Sequence, residues 1–437
     1  MFLGLCDTEG MGNFFRVCAL VLCVLLACQP SGAYSLLTHE QLIDLTWKSS
    51  IVPLLRGRYP RITDAQLEEA RSYAYAGCVI QDVGYYPFGD PFLSALMHYV
   101  RTGDFVVHLF RDAKDANQLA FAVGALSHYV GDNVGHSQAT NRAVAADFPK
   151  LAAKYGPVVT FSEDESAHVR TEFGFDINEI AHHRLAPVHY LRHIGLNVPT
   201  QQLAAAFYDT YGLSADFSKA RARRVNVGGF RFAVRSFIPR IAYAVTLLHR
   251  SHIPPDPMTP DMQKLSTEVA QVAAENNWDK YRKKAGIGTY TLAGFLFVLP
   301  KIGPLKLVAI KVPNQDTEEE YVHSVNRSTD LLGSTLVRFR TAHQTLPNRD
   351  LDTGMPVSPG GYRLTDETYA KLLHLLVADP HHTIPPGLKA DIRNYYADPN
   401  APIYTRKNAK DWAQVQADLQ VLQTIPVSNQ PIDAETD

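Results

Sequence analysis

The chain is predicted to be all-α. Apolar residues recur at three- and four-residue spacing along most of it, no stretch alternates apolar and polar with period two, and Pro and Gly bound segments of helix length. Its 437 residues are 46% hydrophobic and 20% charged, enough to bury a large core in one domain or two. Helices are expected at about 38–56, 64–80, 90–101, 115–141, 143–155, 163–183, 200–210 and 230–251. Pro60, Gly89, Pro157 and Pro199 fall in the gaps between them. The proline-rich segment from Ile253 to Pro257 is stiff and sets the expected boundary between a helical unit at 34–255 and an extension at 258–437. That extension, to which the sequence assigns no role, is expected to carry helices near 260–284, 317–343 and 365–378.

The apolar stretch from Tyr290 to Val312 is interrupted by Pro300, Gly303 and Pro304, so no unbroken segment of it reaches the roughly 18 residues a membrane helix needs. It reads as a buried helical hairpin or, because Lys301, Lys306 and Lys311 lie among its apolar residues, as a membrane-surface element.

Residues 1–33 read as a signal peptide. Arg16 precedes the apolar run Val17–Ala27, and Ser31, Gly32 and Ala33 form a small-residue cleavage pattern. The expected product is exported, periplasmic or extracellular, and begins at Tyr34. Leu25 to Cys28 offers a competing lipoprotein-type cleavage that would anchor the chain through Cys28. Cys6, Cys18, Cys23 and Cys28 all lie in this leader. Cys78 alone remains, expected as a small buried apolar side chain, and no internal disulfide can form. The formal net charge of −2 argues against a broad basic surface for duplex nucleic acid, and no stable nucleic-acid complex is expected.

Histidine is unevenly spread, with ten of the 17 lying between His39 and His193. His128, Asp132 and His136 stand at i, i+4 and i+8. On a helix they drift by only about 40° per step and share one face. Three polar residues on a stripe bordered by Leu119, Phe121, Val123 and Leu126 would be costly to bury without partners, and a metal ion is such a partner. His168 and Glu172 form a second i, i+4 pair. Alone it would equally suit a solvated helix face, and Asp176, one turn on, competes for the carboxylate role. Asp82 stands at the exit of the 64–80 helix, where it could also cap the next turn. His98 lies among apolar residues and His39 near the expected mature terminus; neither is informative alone.

Taken in order, Tyr34, His39, Asp82, His98, His128, Asp132, His136, His168 and Glu172 resemble the zinc-dependent phospholipase C/D family and, more distantly, the fungal single-strand-specific zinc nucleases. The resemblance covers about 34–250. It implies a multi-helix bundle of the phospholipase C/nuclease type holding three Zn²⁺ ions. His98, His128, Asp132 and Asp82 would hold one. Asp132 would bridge to a second, completed by His39 and by the amine and carbonyl of a freed Tyr34. His136, His168 and Glu172 would hold the third. The implied activity is hydrolysis of phosphodiester bonds, foremost of phospholipids, by a zinc-activated hydroxide, with Asp82 orienting or deprotonating the attacking water. A single-strand nuclease with the same metals and a non-catalytic zinc protein are the competing readings. The eight-residue spacing from His128 to His136 departs from the ten, with a proline between, of secreted bacterial phospholipases C and the nucleases. It is similar to that of the phospholipase D acting on glycosylphosphatidylinositol anchors. Tyr34 stands where Trp is typical. Tyr85, Tyr86, Phe88 and Phe92 are candidates for the pocket mouth.

Overall fold

The computed structural model describes residues 35–86, 89–215, 217, 221–299, 309–340, 345–378 and 383–428, with the backbone alone at 221–226. The proposed leader, Tyr34 and Phe88 lie outside these. Among the described residues the protein is all-α: two isolated bridges, Arg349 with Pro356 and Ile384 with Val427, are the extended pairings, and no strand forms.

The helices that build the site are α1 (Leu36–Thr46), α2 (Asp64–Gly77), α3 (Pro91–Tyr99), α4 (Ala116–Gly135) and α5 (Glu165–Ala181). Each start follows from local chemistry. Thr63 and Gln66 form a reciprocal capping box on α2, and the carboxylates of Asp90, Asp115 and Asp164 accept from backbone N–H groups in the first turns of α3, α4 and α5. The expected helix over 115–141 is continuous but changes pitch. α4 passes at His136 into a π turn, His136–Thr140, and then into the helix Asn141–Asp147. The wider turn re-aims the side chains that follow the His128–Asp132 stripe, and such turns recur at functional sites.

α4 is buried along nearly its whole length from Leu119 to Gly135. It can lie this close to α2 because both helices carry glycine at their crossing. A Cβ on Gly77 would fall against the carbonyl of Phe121, and one on Gly124 against the carbonyl of Ala74. Further along the chain, α6 (Ile238–His249), α7 (Ile287–Val298), α8 (Gln315–Arg338) and α9 (Arg363–Ala378) complete the labelled elements. α8 packs on α4 and α1, and α9 on α3. One apolar cluster extends from Leu36 to Ile425, so residues after the 253–257 segment share the core of those before it.

The helices Pro386–Tyr395 and Ala409–Thr424 were not anticipated from the sequence. The expected helix over 260–284 ends at Glu275, because Asn277 takes the left-handed conformation before the short turn Trp278–Tyr281. In the apolar stretch, residues 300–308 lie outside the described set. The part before them forms α7, which leaves Ile287, Tyr290, Phe297 and Val298 exposed and so is not buried as a hairpin would be. No described helix is long and apolar enough to cross a membrane.

Candidate metal centre

Four helical segments bring the expected ligands together. His39 comes from α1, Asp82 from a short 3-10 turn, Gln81–Gly84, just after α2, His98 from α3, and His128 and Asp132 from α4. All five are buried. Asp132 lies at their middle. Its Oδ1 is 3.2 Å from His39 Nε2, and its Oδ2 is 3.0 Å from His128 Nε2 and 3.6 Å from His98 Nε2. Asp82 Oδ1 is 3.3 Å from His98 Nε2. The rings of His39 and His128 stack at 4.2 Å.

These side chains fit a cation, and their hydrogen bonds say why. His98 donates its Nδ1 proton to the carbonyl of Ser94 at 2.8 Å, and His128 donates its own to the carbonyl of Cys78 at 3.0 Å. A neutral imidazole has one N–H, so both Nε2 atoms are left with bare lone pairs. Those lone pairs lie 3.4 Å from each other and face carboxylate oxygens. Acceptors converging in a dry interior need a proton or a metal ion among them. Two sets, His39–Asp82–His128 and His98–His128–Asp132, bring their ligand atoms within 4.8 Å of one another.

Charge behaves accordingly. Burial disfavours a charged His98, but Asp82, Asp132 and Asp352 outweigh it and push its pKa up to about 9. His128 is raised as well: burial opposes it and the Asp132 and Asp82 carboxylates prevail. Burial also works against an ionised Asp132, yet His128 and His39 hold its carboxyl well below the usual carboxylate range. Without metal, the carboxylates therefore favour protonated His98 and His128 in place of an ion, whereas burial and the neighbouring His128 lower the pKa of His39.

A second group adjoins the first. His136 Nε2 lies 3.9 Å from Glu172 Oε1, His168 Nδ1 lies 2.8 Å from the same oxygen, and the two rings are 5.0 Å apart. All three residues are buried. Burial lowers the pKa of both histidines, that of His168 well below the ordinary value, so they stand as neutral imidazoles, the form that binds metal. Asp176 takes no part: its carboxylate accepts from the backbone N–H of Leu37 and Thr38, both at 3.2 Å, and thereby caps the start of α1. The four-residue step from Glu172 to Asp176 had left this choice open, and the fold assigns the two carboxylates to different tasks.

Two neighbours of this group carried no sequence signal. Asn141 Nδ2 donates to the backbone carbonyl of Asp352 at 2.8 Å, and Asn141 Oδ1 lies 2.8 Å from His168 Nε2. The Asp352 carboxylate is buried and accepts from Tyr99 at 2.9 Å and from Tyr362 at 2.7 Å. Asp352 is more than two hundred residues from Asn141, and no spacing rule connects such a pair.

Of the four candidates for the pocket mouth, the three among the described residues, Tyr85, Tyr86 and Phe92, are packed inward. Tyr86 contacts the ring of Phe230 at 5.4 Å, Phe92 is core, and Tyr85 is buried 5.8 Å from His98. The glycine-mediated closeness of α2 and α4 draws the turn that follows α2 into the interior. Cys78 is a buried free thiol, as expected.

No curated protein and no solved structure matches the chain. Residues 38–217 match the family model described as zinc-dependent phospholipase C, a span that contains every described residue of the two groups above. The match over these residues supports the zinc-dependent phospholipase C family and, with it, a zinc-dependent phosphodiesterase.

Proposed function

We propose that the protein is an exported phosphodiesterase that hydrolyses phospholipids with three zinc ions held by Tyr34, His39, Asp82, His98, His128, Asp132, His136, His168 and Glu172. The observation that carries the reading is the opposed facing of the two Asp132 oxygens, one toward His39 and the other toward His128 and His98. A carboxylate so shared suits a bridge between two ions. Tyr34 lies outside the described residues. Ser35 is buried directly before α1, so an amine freed at Tyr34 would be close in sequence to His39. Only a free amine has the lone pair that a metal requires.

Bound zinc lowers the pKa of water toward about 7 and neutralises charge on a phosphate. The chain's own residues supply position. Cys78 and Ser94 fix the tautomers of His128 and His98, burial excludes bulk water, and the Asp82 carboxylate is available to orient or deprotonate the attacking water.

A lipid substrate is favoured by α7. Ile287, Tyr290, Phe297 and Val298 lie exposed along one side of this helix, Ile287 at 87% and Phe297 at 69%. Exposed Lys283 and Lys284 precede it, and Lys283, Arg192 and Arg240 all act on His189 and so cluster nearby. An apolar stripe with a basic flank suits the surface of an anionic bilayer.

The test is a screen of phospholipids against single-stranded DNA and RNA, with and without chelator. Chelator-sensitive lipid cleavage is the expected result. Cleavage of nucleic acid alone would reassign the protein as a nuclease, and cleavage of neither would remove the catalytic reading.

A further inference from the structure

We propose that the backbone carbonyl of Asp352, outside the family-matched segment, sets the tautomers of both His136 and His168 and so makes the C-terminal region a working part of the metal centre. The proposal rests on the reading of these two histidines as metal ligands.

The argument begins at an atom that can only accept. The carbonyl oxygen of Asp352 lies 3.2 Å from His136 Nδ1 and 2.8 Å from Asn141 Nδ2. A carbonyl cannot donate, so each nitrogen must bring a proton. For His136 this places the proton on Nδ1 and leaves Nε2, which has no hydrogen-bond partner, bare toward Glu172. For Asn141 it fixes the amide: the opposite orientation would set Oδ1 against the Asp352 carbonyl, acceptor on acceptor. Asn141 Oδ1 is then the atom 2.8 Å from His168 Nε2, and as an acceptor it requires the proton of His168 on Nε2. His168 Nδ1 is left bare opposite Glu172 Oε1 at 2.8 Å, a pair of acceptors that an ion held between them would satisfy. One peptide oxygen thus directs two imidazoles in opposite senses, His136 directly and His168 through Asn141. In each case the bare nitrogen is the one turned toward Glu172.

The oxygen is held from both sides. Tyr99 and Tyr362 donate to Asp352 Oδ2, and the backbone N–H of the preceding residue, Leu351, donates to the carbonyl of His98 at 3.0 Å. Tyr129 donates to the carbonyl of Pro347 at 2.6 Å, and Thr102 to that of Arg349 at 2.7 Å. Gly354 turns at a φ of 70° with its α-carbon side against the carbonyl of Asn133, where no side chain would fit. The stretch around Asp352 is therefore fastened to α3 and α4, the helices that carry His98, His128 and Asp132. Groups that orient a metal-bound imidazole are typically worth 10- to 100-fold in metal affinity.

The deciding measurement is nitrogen-15 NMR of the imidazoles in the full-length, zinc-loaded protein at neutral pH. The expected result is His136 protonated at Nδ1 and His168 protonated at Nε2. A His168 protonated at Nδ1 overturns the proposal, and so does a His136 protonated at Nε2. Asn141→Leu, in the full chain, should weaken binding of the most labile zinc by about 10- to 100-fold in a chelator competition while leaving the His136 tautomer unchanged. Wild-type zinc affinity in Asn141→Leu also overturns it. Should that variant fail to fold, the wild-type spectrum decides. Wrong tautomers in a protein that still binds zinc and cleaves lipid would sink this proposal alone, whereas absence of both zinc binding and cleavage would sink the functional reading beneath it.

Discussion

The carbonyl of Cys78 accepts the Nδ1 proton of His128 at 3.0 Å, so the residue that ends α2 orients an imidazole in the middle of α4. The bond exists because Gly77 and Gly124 let the two helices touch backbone to backbone. Gly124→Ala should cost about 3 kcal/mol or more in chemical denaturation, as overpacking against a rigid backbone does. It should also weaken zinc binding, by moving Cys78 off His128. Gly57 lies in the helix Val52–Arg58 with open space around it, and Gly57→Ala should add about 0.5–1 kcal/mol. Equal effects from the two substitutions would contradict the close-approach argument.

Asp132→Asn removes the charge that His39, His98 and His128 share. Turnover should fall on the order of 10³-fold or more, and metal content should drop by more than one ion per chain. Metal analysis alongside kinetics checks this. A variant with full turnover would refute the bridging position.

Metal removal should destabilise the fold as well as abolish activity. Asp82 and Asp132 are buried with carboxylate oxygens that have no hydrogen-bond partner. An ion at a thousandfold its dissociation constant stabilises by about 4 kcal/mol. Chelator should therefore lower the melting temperature, and zinc should restore it. An unchanged melting temperature with metal demonstrably gone would argue against an ion in this core.

Away from the metal centre, His108 sets an acid limb to stability. Burial, aided by Arg111 and Arg101, lowers its pKa to about 4. The folded state thus disfavours its charged form. The contribution is fully present above the unfolded value of about 6.5 and is lost as pH falls from there toward 4, by about 3 kcal/mol at most. His108 Nδ1 faces Thr210 Oγ1 at 2.8 Å, a contact a glutamine amide can replace. His108→Gln should flatten the stability profile between pH 6.5 and 4, and urea midpoints across that range test it.

For α7, the paired substitutions Ile287→Ser and Phe297→Ser should reduce binding to anionic vesicles by about tenfold or more while leaving hydrolysis of a soluble phosphodiester unchanged. Equal losses on both substrates would instead point to damage to the fold.

The sequence alone determined the helical class, the shared face of His128, Asp132 and His136, and the His168–Glu172 pair, because helical periodicity converts spacing directly into direction. It could not choose between Glu172 and Asp176, since both fit the same step. Only the tertiary structure decided that Asp176 caps α1 while Glu172 faces His136 and His168. It also decided that His39, Asp82 and His98 converge on Asp132, that Tyr86 and Phe92 turn into the core, and that Asp352 reaches the site from far along the chain. Periodicity reports which way a side chain points from its own helix. Which atoms then meet depends on how closely helices distant in sequence can pack, and here that was set by two glycines and by a loop fastened across α3 and α4.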